Sequence, residues 1–226
     1  FMAEGGAKNV ARRDGMGTTL LSAVEVIGRI PDAYFQAIGS GTGAIAVWEN
    51  NLRLIEDGRW GSHKMRLYPS QNDPFTIMYD TWKLHSRQLV DMSPDDARKA
   101  AAEIDAKVLS NRKPPYSLAG GLFDAMEDAG GDMFKATNEE LRFWKKRFAE
   151  LEGIDIHDAP AVAVASLAAA VKEGAVKKDE TIMLNITGGG EELAKSQQEI
   201  FYAKPHLILD PALPTEEVIS SVKALF

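Results

Sequence analysis

The sequence predicts an α/β fold, in which an open parallel sheet is flanked by helices in three layers. Three apolar stretches, residues 33–38, 64–68 and 181–186, are typical of buried strands, and helical patterns alternate with them. Two of these strands are followed directly by glycine turns that carry hydroxyl groups. Because the carboxyl ends of parallel strands meet at one edge of a sheet, the two turns are predicted to lie side by side.

The first turn consists of Gly39, Ser40, Gly41, Thr42 and Gly43. Glycines let the backbone come close to a ligand. The helix expected over residues 44–57 would point unpaired N–H groups and a positive dipole end at a bound anion. The turn is not a P-loop and lacks the spacing of the dinucleotide fingerprint. It predicts a phosphate site, and a tight turn with no ligand is the alternative.

The second turn begins with Thr187 and continues through glycines 188–190. A basic stretch at residues 8–17 contains Lys8, Arg12 and Arg13 and is bounded by glycines, so we expect a surface loop. That loop is either solvated or faces an anion beside the ligand. Residues 70–74 are predicted to form a turn, and residues 206–209 a further short strand.

Helix signals occur along the whole chain. A helix is expected from Thr18 or Thr19 to Gly28. Ser93 is followed by a proline at the first helical position, and Thr137 with Glu140 forms a capping box. Residues 161–171 are apolar nearly all round, which predicts a buried helix, and a final helix is expected from Thr215.

The amino-acid composition excludes several classes of function. The 226 residues carry a formal net charge of −7, so non-specific nucleic-acid binding is not expected. There is no cysteine, which excludes disulfides, thiol catalysis and thiolate metal sites, and the four histidines show no metal-ligand spacing. No apolar run is long enough for a membrane span. These features predict a cytoplasmic protein without a metal, a membrane or a nucleic-acid partner.

Three motifs, taken in order, resemble the large domain of the fold-type II pyridoxal-phosphate enzymes, the tryptophan-synthase-β-like group. They are the glycine turn at 39–43, the apolar helix entry at residues 153–163, and the late strand at residues 178–188. The threonine synthase branch is the nearest, and residues 4–16 are similar to the archaeal cysteate synthases within it.

The resemblance implies pyridoxal 5'-phosphate as the cofactor. It assigns residues 39–43 to the cofactor phosphate and Thr187 to the pyridine nitrogen. It also implies conversion of O-phosphoserine and sulfite to cysteate and phosphate, a step of coenzyme M biosynthesis, with Lys8, Arg12 and Arg13 as candidates for binding the substrate anions. The alternatives are a threonine synthase, which uses phosphohomoserine and water, and a non-catalytic domain that binds a phosphate ligand.

The chain departs from the family pattern in one respect. The Schiff-base lysine of the family lies in an N-terminal portion, and no such segment is found here; Lys8 belongs to a different motif. We therefore expect residues 1–226 to form most of the large cofactor domain, with the small domain and the lysine upstream of Phe1. On this expectation the chain alone is inactive, and the complete enzyme, which includes the N-terminal portion, is a homo-oligomer.

Overall fold

Four parallel strands form the central sheet of the computed structural model, which describes residues 5–226. The strands are β1 (Ala33–Ala37), β2 (Arg66–Asn72), β3 (Phe134–Ala136) and β4 (Ile182–Leu184), in the order β3-β2-β1-β4. The pairs β1–β2, β1–β4 and β2–β3 are all parallel. The three predicted strands are therefore confirmed as neighbours. β3 was not predicted, because it has only three residues and the middle one is an exposed lysine.

Helices cover both faces of this sheet. In chain order, the helices of the described residues are α1 (Val10–Ile27), α2 (Thr42–Asp57), α3 (Ile77–Lys83), α4 (Pro94–Glu103), α5 (Leu122–Ala129), α6 (Asn138–Glu152), α7 (Asp158–Lys172), α8 (Glu191–Gln197) and α9 (Thr215–Lys223), of which α1, α2, α5 and α7 pack on the sheet. Side chains alternate along β1: Tyr34 and Ile38 pack with α1, α2 and α5, whereas Phe35 and Ala37 pack on the side of α7. This alternation confirms the three-layer α/β fold.

The basic stretch at residues 8–17 is mostly helical, so the predicted loop is wrong. α1 begins at Val10, and the side chain of Asn9 caps it by accepting a hydrogen bond from the Arg12 amide at 3.2 Å. The stretch contains two glycines, which are unfavourable within helices, and a loop was therefore predicted. Gly17 is needed because α1 packs closely on α2: a Cβ there would lie 1.7 Å from the Asn50 amide nitrogen.

The turn predicted at residues 70–74 is confirmed only at Asp73 and Pro74, since β2 continues to Asn72. Its polar side chains are buried and tie loops to the strand. Gln71 accepts hydrogen bonds from the amides of Met78 and Tyr79, both at 2.9 Å, at the start of α3. Asn72 accepts one from the Ala106 amide at 3.0 Å. Polar residues that usually mark turns therefore serve here as internal caps, which also explains why α3 was not predicted.

Asp32 fixes β4 beside β1. Its carboxylate accepts hydrogen bonds from the Thr181 amide at 2.7 Å and from the Arg29 guanidinium at 2.7 and 3.2 Å. These contacts, the Arg29 bond first among them, lower the pKa of Asp32 to about 2. Beyond β4, the Asn185 amide donates to the Phe35 carbonyl at 2.9 Å. The segment after β4 consequently leaves the sheet at the same edge as the turn after β1.

The chain divides into two compact units, one ending at Glu191 and the other spanning Glu192–Phe226. The second unit contains α9, and within residues 192–226 the predicted strand at 206–209 is wrong, because the backbone there forms no strand pairing. Across residues 5–226, no helix is both long enough and apolar enough to cross a bilayer.

Candidate functional site

The turn between β1 and α2 gives a 16-residue helix an N-cap residue without a side chain. That residue is Gly41, with φ at 77°, so the N-cap position supplies no capping hydrogen bond to α2. Glycine suits this left-handed conformation, which other residues adopt at a cost. The first amide groups of α2 have no helical partners, and the positive end of the helix dipole lies with them. The turn can therefore bind an anion through its backbone.

Two hydroxyl groups belong to the same turn. Ser40 Oγ and Thr42 Oγ1 lie 2.9 Å apart and share a hydrogen bond, and the Thr42 amide donates to Ser40 Oγ at 3.3 Å. Thr42 is buried, whereas Ser40 is partly exposed. Both side chains line an open cavity, so each can offer a hydroxyl to a ligand bound there.

This cavity, the glycine-turn cavity, measures about 420 Å³ and gathers cations from distant parts of the chain. Lys8 and Arg12 come from the region that begins α1, and Lys113 comes from the segment between α4 and α5. None of the described residues that line it is a carboxylate. Lys113 was not predicted as a site residue, because nothing in its local sequence connects it with residues 8–42. The cavity is electrostatically suited to an anion.

Arg13, the third predicted cation, does not line the glycine-turn cavity. Its Nε lies 2.8 Å from Glu49 Oε2 in an ion pair, and its Nη1 donates to the Ala7 carbonyl. It lines a neighbouring cavity with Lys8 and Glu49. The guanidinium thus joins α1 to α2 and lies outside the glycine-turn cavity, so its proposed role as a substrate-binding cation is not carried further.

Thr187 follows β4 at the same edge of the sheet but lines a different cavity, of about 530 Å³. We call this the Thr187 cavity. Gly188 holds the turn in place by accepting a hydrogen bond from the His157 amide at 3.0 Å, and His157 Nε2 lies 3.1 Å from Glu191 Oε1. Thr187 itself is exposed.

Val108 lies close both to the Thr187 cavity and to the glycine turn. Val108 lines the Thr187 cavity, and its carbonyl oxygen would be 2.9 Å from a Cβ placed on Gly39. The structure therefore places the glycine turn and Thr187 at one sheet edge, with residues 108–109 close to both. Lys8 and Arg12 are gathered with Ser40 and Thr42, and Thr187 is not part of that group.

These groups fit the cofactor that the resemblance implies. Pyridoxal phosphate combines a phosphate with an aromatic ring whose nitrogen accepts a hydrogen bond. The amides at the start of α2 and the two hydroxyls suit the phosphate, and the three cations leave positive charge beside it for a further anion. The exposed hydroxyl of Thr187, at the same edge, suits the ring nitrogen.

Comparison with known proteins gives a consistent result. A family profile described as pyridoxal-phosphate dependent enzyme matches residues 1–188. The chain is 49% identical to a cysteate synthase of Methanosarcina acetivorans over 220 residues, which cover 96% of the chain and 53% of that protein. It is 46% identical to a cysteate synthase of Methanocella paludicola, covering 98% of the chain and 52% of that protein. The chain thus spans about half the length of the curated relatives it matches.

Solved structures resemble the fold at much lower identity. Maize serine racemase superposes with a TM-score of 0.56 at 14% identity, over 81% of this chain and 50% of that one. Isoform 2 of threonine deaminase from Solanum lycopersicum gives a TM-score of 0.54 at 15% identity, over 81% of this chain and 47% of that one. At this level of identity the likeness concerns the fold alone.

Proposed function

Because the chain belongs to the pyridoxal-phosphate-dependent enzyme family, we propose that it supplies the phosphate and ring-nitrogen contacts of a cofactor site. The start of α2, in a cavity lined by three cations, is the observation that carries this proposal. The amides of residues 39–43 and the hydroxyls of Ser40 and Thr42 hold the phosphate. Thr187 hydrogen-bonds the ring nitrogen. The bound cofactor supplies an electron sink for chemistry at an amino acid.

The full-length protein converts O-phosphoserine and sulfite to cysteate and phosphate. The sulfur lone pair of sulfite forms the new C–S bond, and phosphate leaves with the electrons of the broken C–O bond. Similarity to cysteate synthases supports this reaction. Both reactants are anions, and Lys8, Arg12 and Lys113 supply positive charge beside the proposed phosphate contacts. These cations attract and orient the reactants.

The chain contributes most of the large cofactor domain, and the lysine that carries the cofactor lies in the remainder of the full-length protein. Lys8 shares the glycine-turn cavity with Arg12 and Lys113, where it suits contact with an anion. Borohydride reduction of the loaded full-length protein, followed by peptide mapping, tests this assignment. A pyridoxyl label on a lysine outside residues 1–226 supports it, and a label on Lys8 or any other lysine of this chain overturns it.

The reaction is tested with two substrate pairs supplied to the full-length protein after cofactor binding has been measured by absorbance. We expect cysteate and phosphate from phosphoserine with sulfite. Threonine formed from phosphohomoserine and water, without cysteate, would identify a threonine synthase. Bound cofactor with neither product would favour the non-catalytic alternative.

Replacing Thr187 by valine in the full-length protein is expected to lower turnover about fivefold, because it removes one hydrogen bond worth about 1 kcal/mol from the ring nitrogen. Thr187 is exposed, so the free energy of unfolding should change by less than about 0.5 kcal/mol. Steady-state kinetics and a urea melt measure the two quantities.

Thr187→Ser keeps the hydroxyl and serves as the matched control, which should retain most of the turnover. Equal activity of the valine and wild-type proteins would show that Thr187 does not contact the ring. A large loss of stability in the valine variant would instead point to a structural role.

A further inference from the structure

A chain of polar side chains is buried in the sheet beneath the glycine turn. Asn185 Nδ2 donates to the Tyr34 hydroxyl at 2.8 Å, and that hydroxyl donates to Gln36 Oε1 at 3.1 Å. Tyr34 is 1% exposed and Gln36 is 9% exposed. We refer to these three residues as the Asn185–Tyr34–Gln36 relay.

The relay connects the two segments of the proposed cofactor site. Asn185 lies two residues before Thr187, just beyond β4. At the other end, the Gln36 amide group lies against the first turn of α2, since both of its terminal atoms would be 2.6 Å from a Cβ on Gly43. Tyr34 and Gln36 share one face of β1, which places their side chains next to each other.

The hydroxyl at position 34 is not required for packing or for strand register. Phenylalanine would fill the same space in the core. It would also avoid burying a polar hydroxyl group, and such burial costs free energy unless the group is hydrogen-bonded. The register of β4 is already set by its pairing with β1 and by the Asp32–Thr181 contact. Burial raises the pKa of Tyr34, so the hydroxyl remains protonated and keeps its donor role towards Gln36.

We propose that the Asn185–Tyr34–Gln36 relay is a positioning device that holds the Thr187 turn at a fixed distance from the start of α2. It thereby sets the separation between the proposed contact to the ring nitrogen and the proposed contacts to the phosphate. The inference rests on the proposed function of the two segments. It predicts that breaking the relay weakens a ligand that contacts both segments while sparing a ligand that contacts the α2 end alone.

The test compares Tyr34→Phe with Tyr68→Phe in the full-length protein. Tyr68 is a matched control: it is 3% exposed, its hydroxyl donates to the Ala175 carbonyl at 3.0 Å, and it packs on Phe35 on the opposite face of the sheet. Affinities for pyridoxal phosphate and for inorganic phosphate are measured separately, together with the visible absorption band of the bound cofactor.

For Tyr34→Phe we expect pyridoxal-phosphate affinity to fall about tenfold and the absorption band to shift, because two hydrogen bonds are lost, while phosphate affinity stays within about twofold of wild type. Tyr68→Phe should leave both affinities and the band unchanged. Equal effects of the two variants on cofactor affinity, or a parallel loss of phosphate affinity in Tyr34→Phe, would overturn the proposal.

Asn185→Ala supplies a second route if Tyr34→Phe does not fold, since Asn185 is only partly buried. It should reproduce the loss of cofactor affinity, and combining it with Tyr34→Phe should add little, because both changes break the same connection. Fully additive losses would count against the relay. A wild type that binds the cofactor but forms no cysteate would overturn only the proposed reaction, whereas a wild type that binds no cofactor would overturn both proposals.

Discussion

Replacement of Gly41 by aspartate in the full-length protein is expected to abolish measurable binding of pyridoxal phosphate. The new carboxylate would stand at the N-cap of α2, among the amides proposed to hold the cofactor phosphate. Like charges about 4 Å apart repel by roughly 4 kcal/mol at the dielectric constant typical of protein surfaces. A loss of that size lowers affinity by more than a hundredfold. Absorbance titration with the cofactor measures the loss.

Gly41→Asn separates charge from geometry. Asparagine has nearly the same shape as aspartate and tolerates the left-handed backbone that Gly41 adopts at φ 77°. Each variant also places a Cβ 3.0 Å from a Leu122 methyl, so both bear the same crowding. We expect the asparagine variant to retain at least about a tenth of the wild-type affinity. Identical losses in the two variants would assign the effect to packing, and retained affinity in the aspartate variant would place the phosphate elsewhere.

The glycine turn itself was predictable from sequence because its determinants are local. An apolar strand, a run of small residues and an amphipathic helix follow one another within residues 33–57, and each has a pattern of its own. The structure reproduces this order, with β1 ending at Ala37 and α2 running from Thr42 to Asp57, where Gly58 ends it. Local backbone chemistry is enough to specify such a unit.

Elements that are defined by long-range contacts were harder to predict from the sequence. Gln71 and Asn72 have the composition of a turn, and only their burial against α3 and residue 106 makes them part of β2. Lys113 could not be placed beside Lys8 from sequence, since the chain between them folds through two strands and four helices. Arg12 and Arg13 are neighbours in sequence, but it is Arg13 that forms the ion pair with Glu49. These outcomes depend on tertiary packing, which overrides local pattern.

The cations of the glycine-turn cavity give the second large expected effect. Arg12→Met combined with Lys113→Met in the full-length protein should raise the KM for phosphoserine or sulfite roughly tenfold to a hundredfold, because the loss of even one charged contact with a substrate is worth about 1.5–3 kcal/mol. The helix should persist, since Asn9 caps α1 through the backbone amide of Arg12 and not through its side chain. Kinetics with each substrate varied in turn measure the change.

Arg112→Met provides the matched control for this pair. Arg112 precedes Lys113 and lines another cavity, which Lys113 also lines, but it does not line the glycine-turn cavity. The Arg112→Met variant therefore removes the same charge from the same segment and leaves the cations of the glycine-turn cavity in place. Its KM values should remain within about twofold of wild type, because Arg112 does not line the glycine-turn cavity, where Lys113 is proposed to contact the substrates. If the double variant lost affinity for pyridoxal phosphate with unchanged KM values, the cations would serve the cofactor and not the substrates. An equal rise in KM for Arg112→Met would show that the overall positive charge of this surface causes the effect, and not contacts within the glycine-turn cavity.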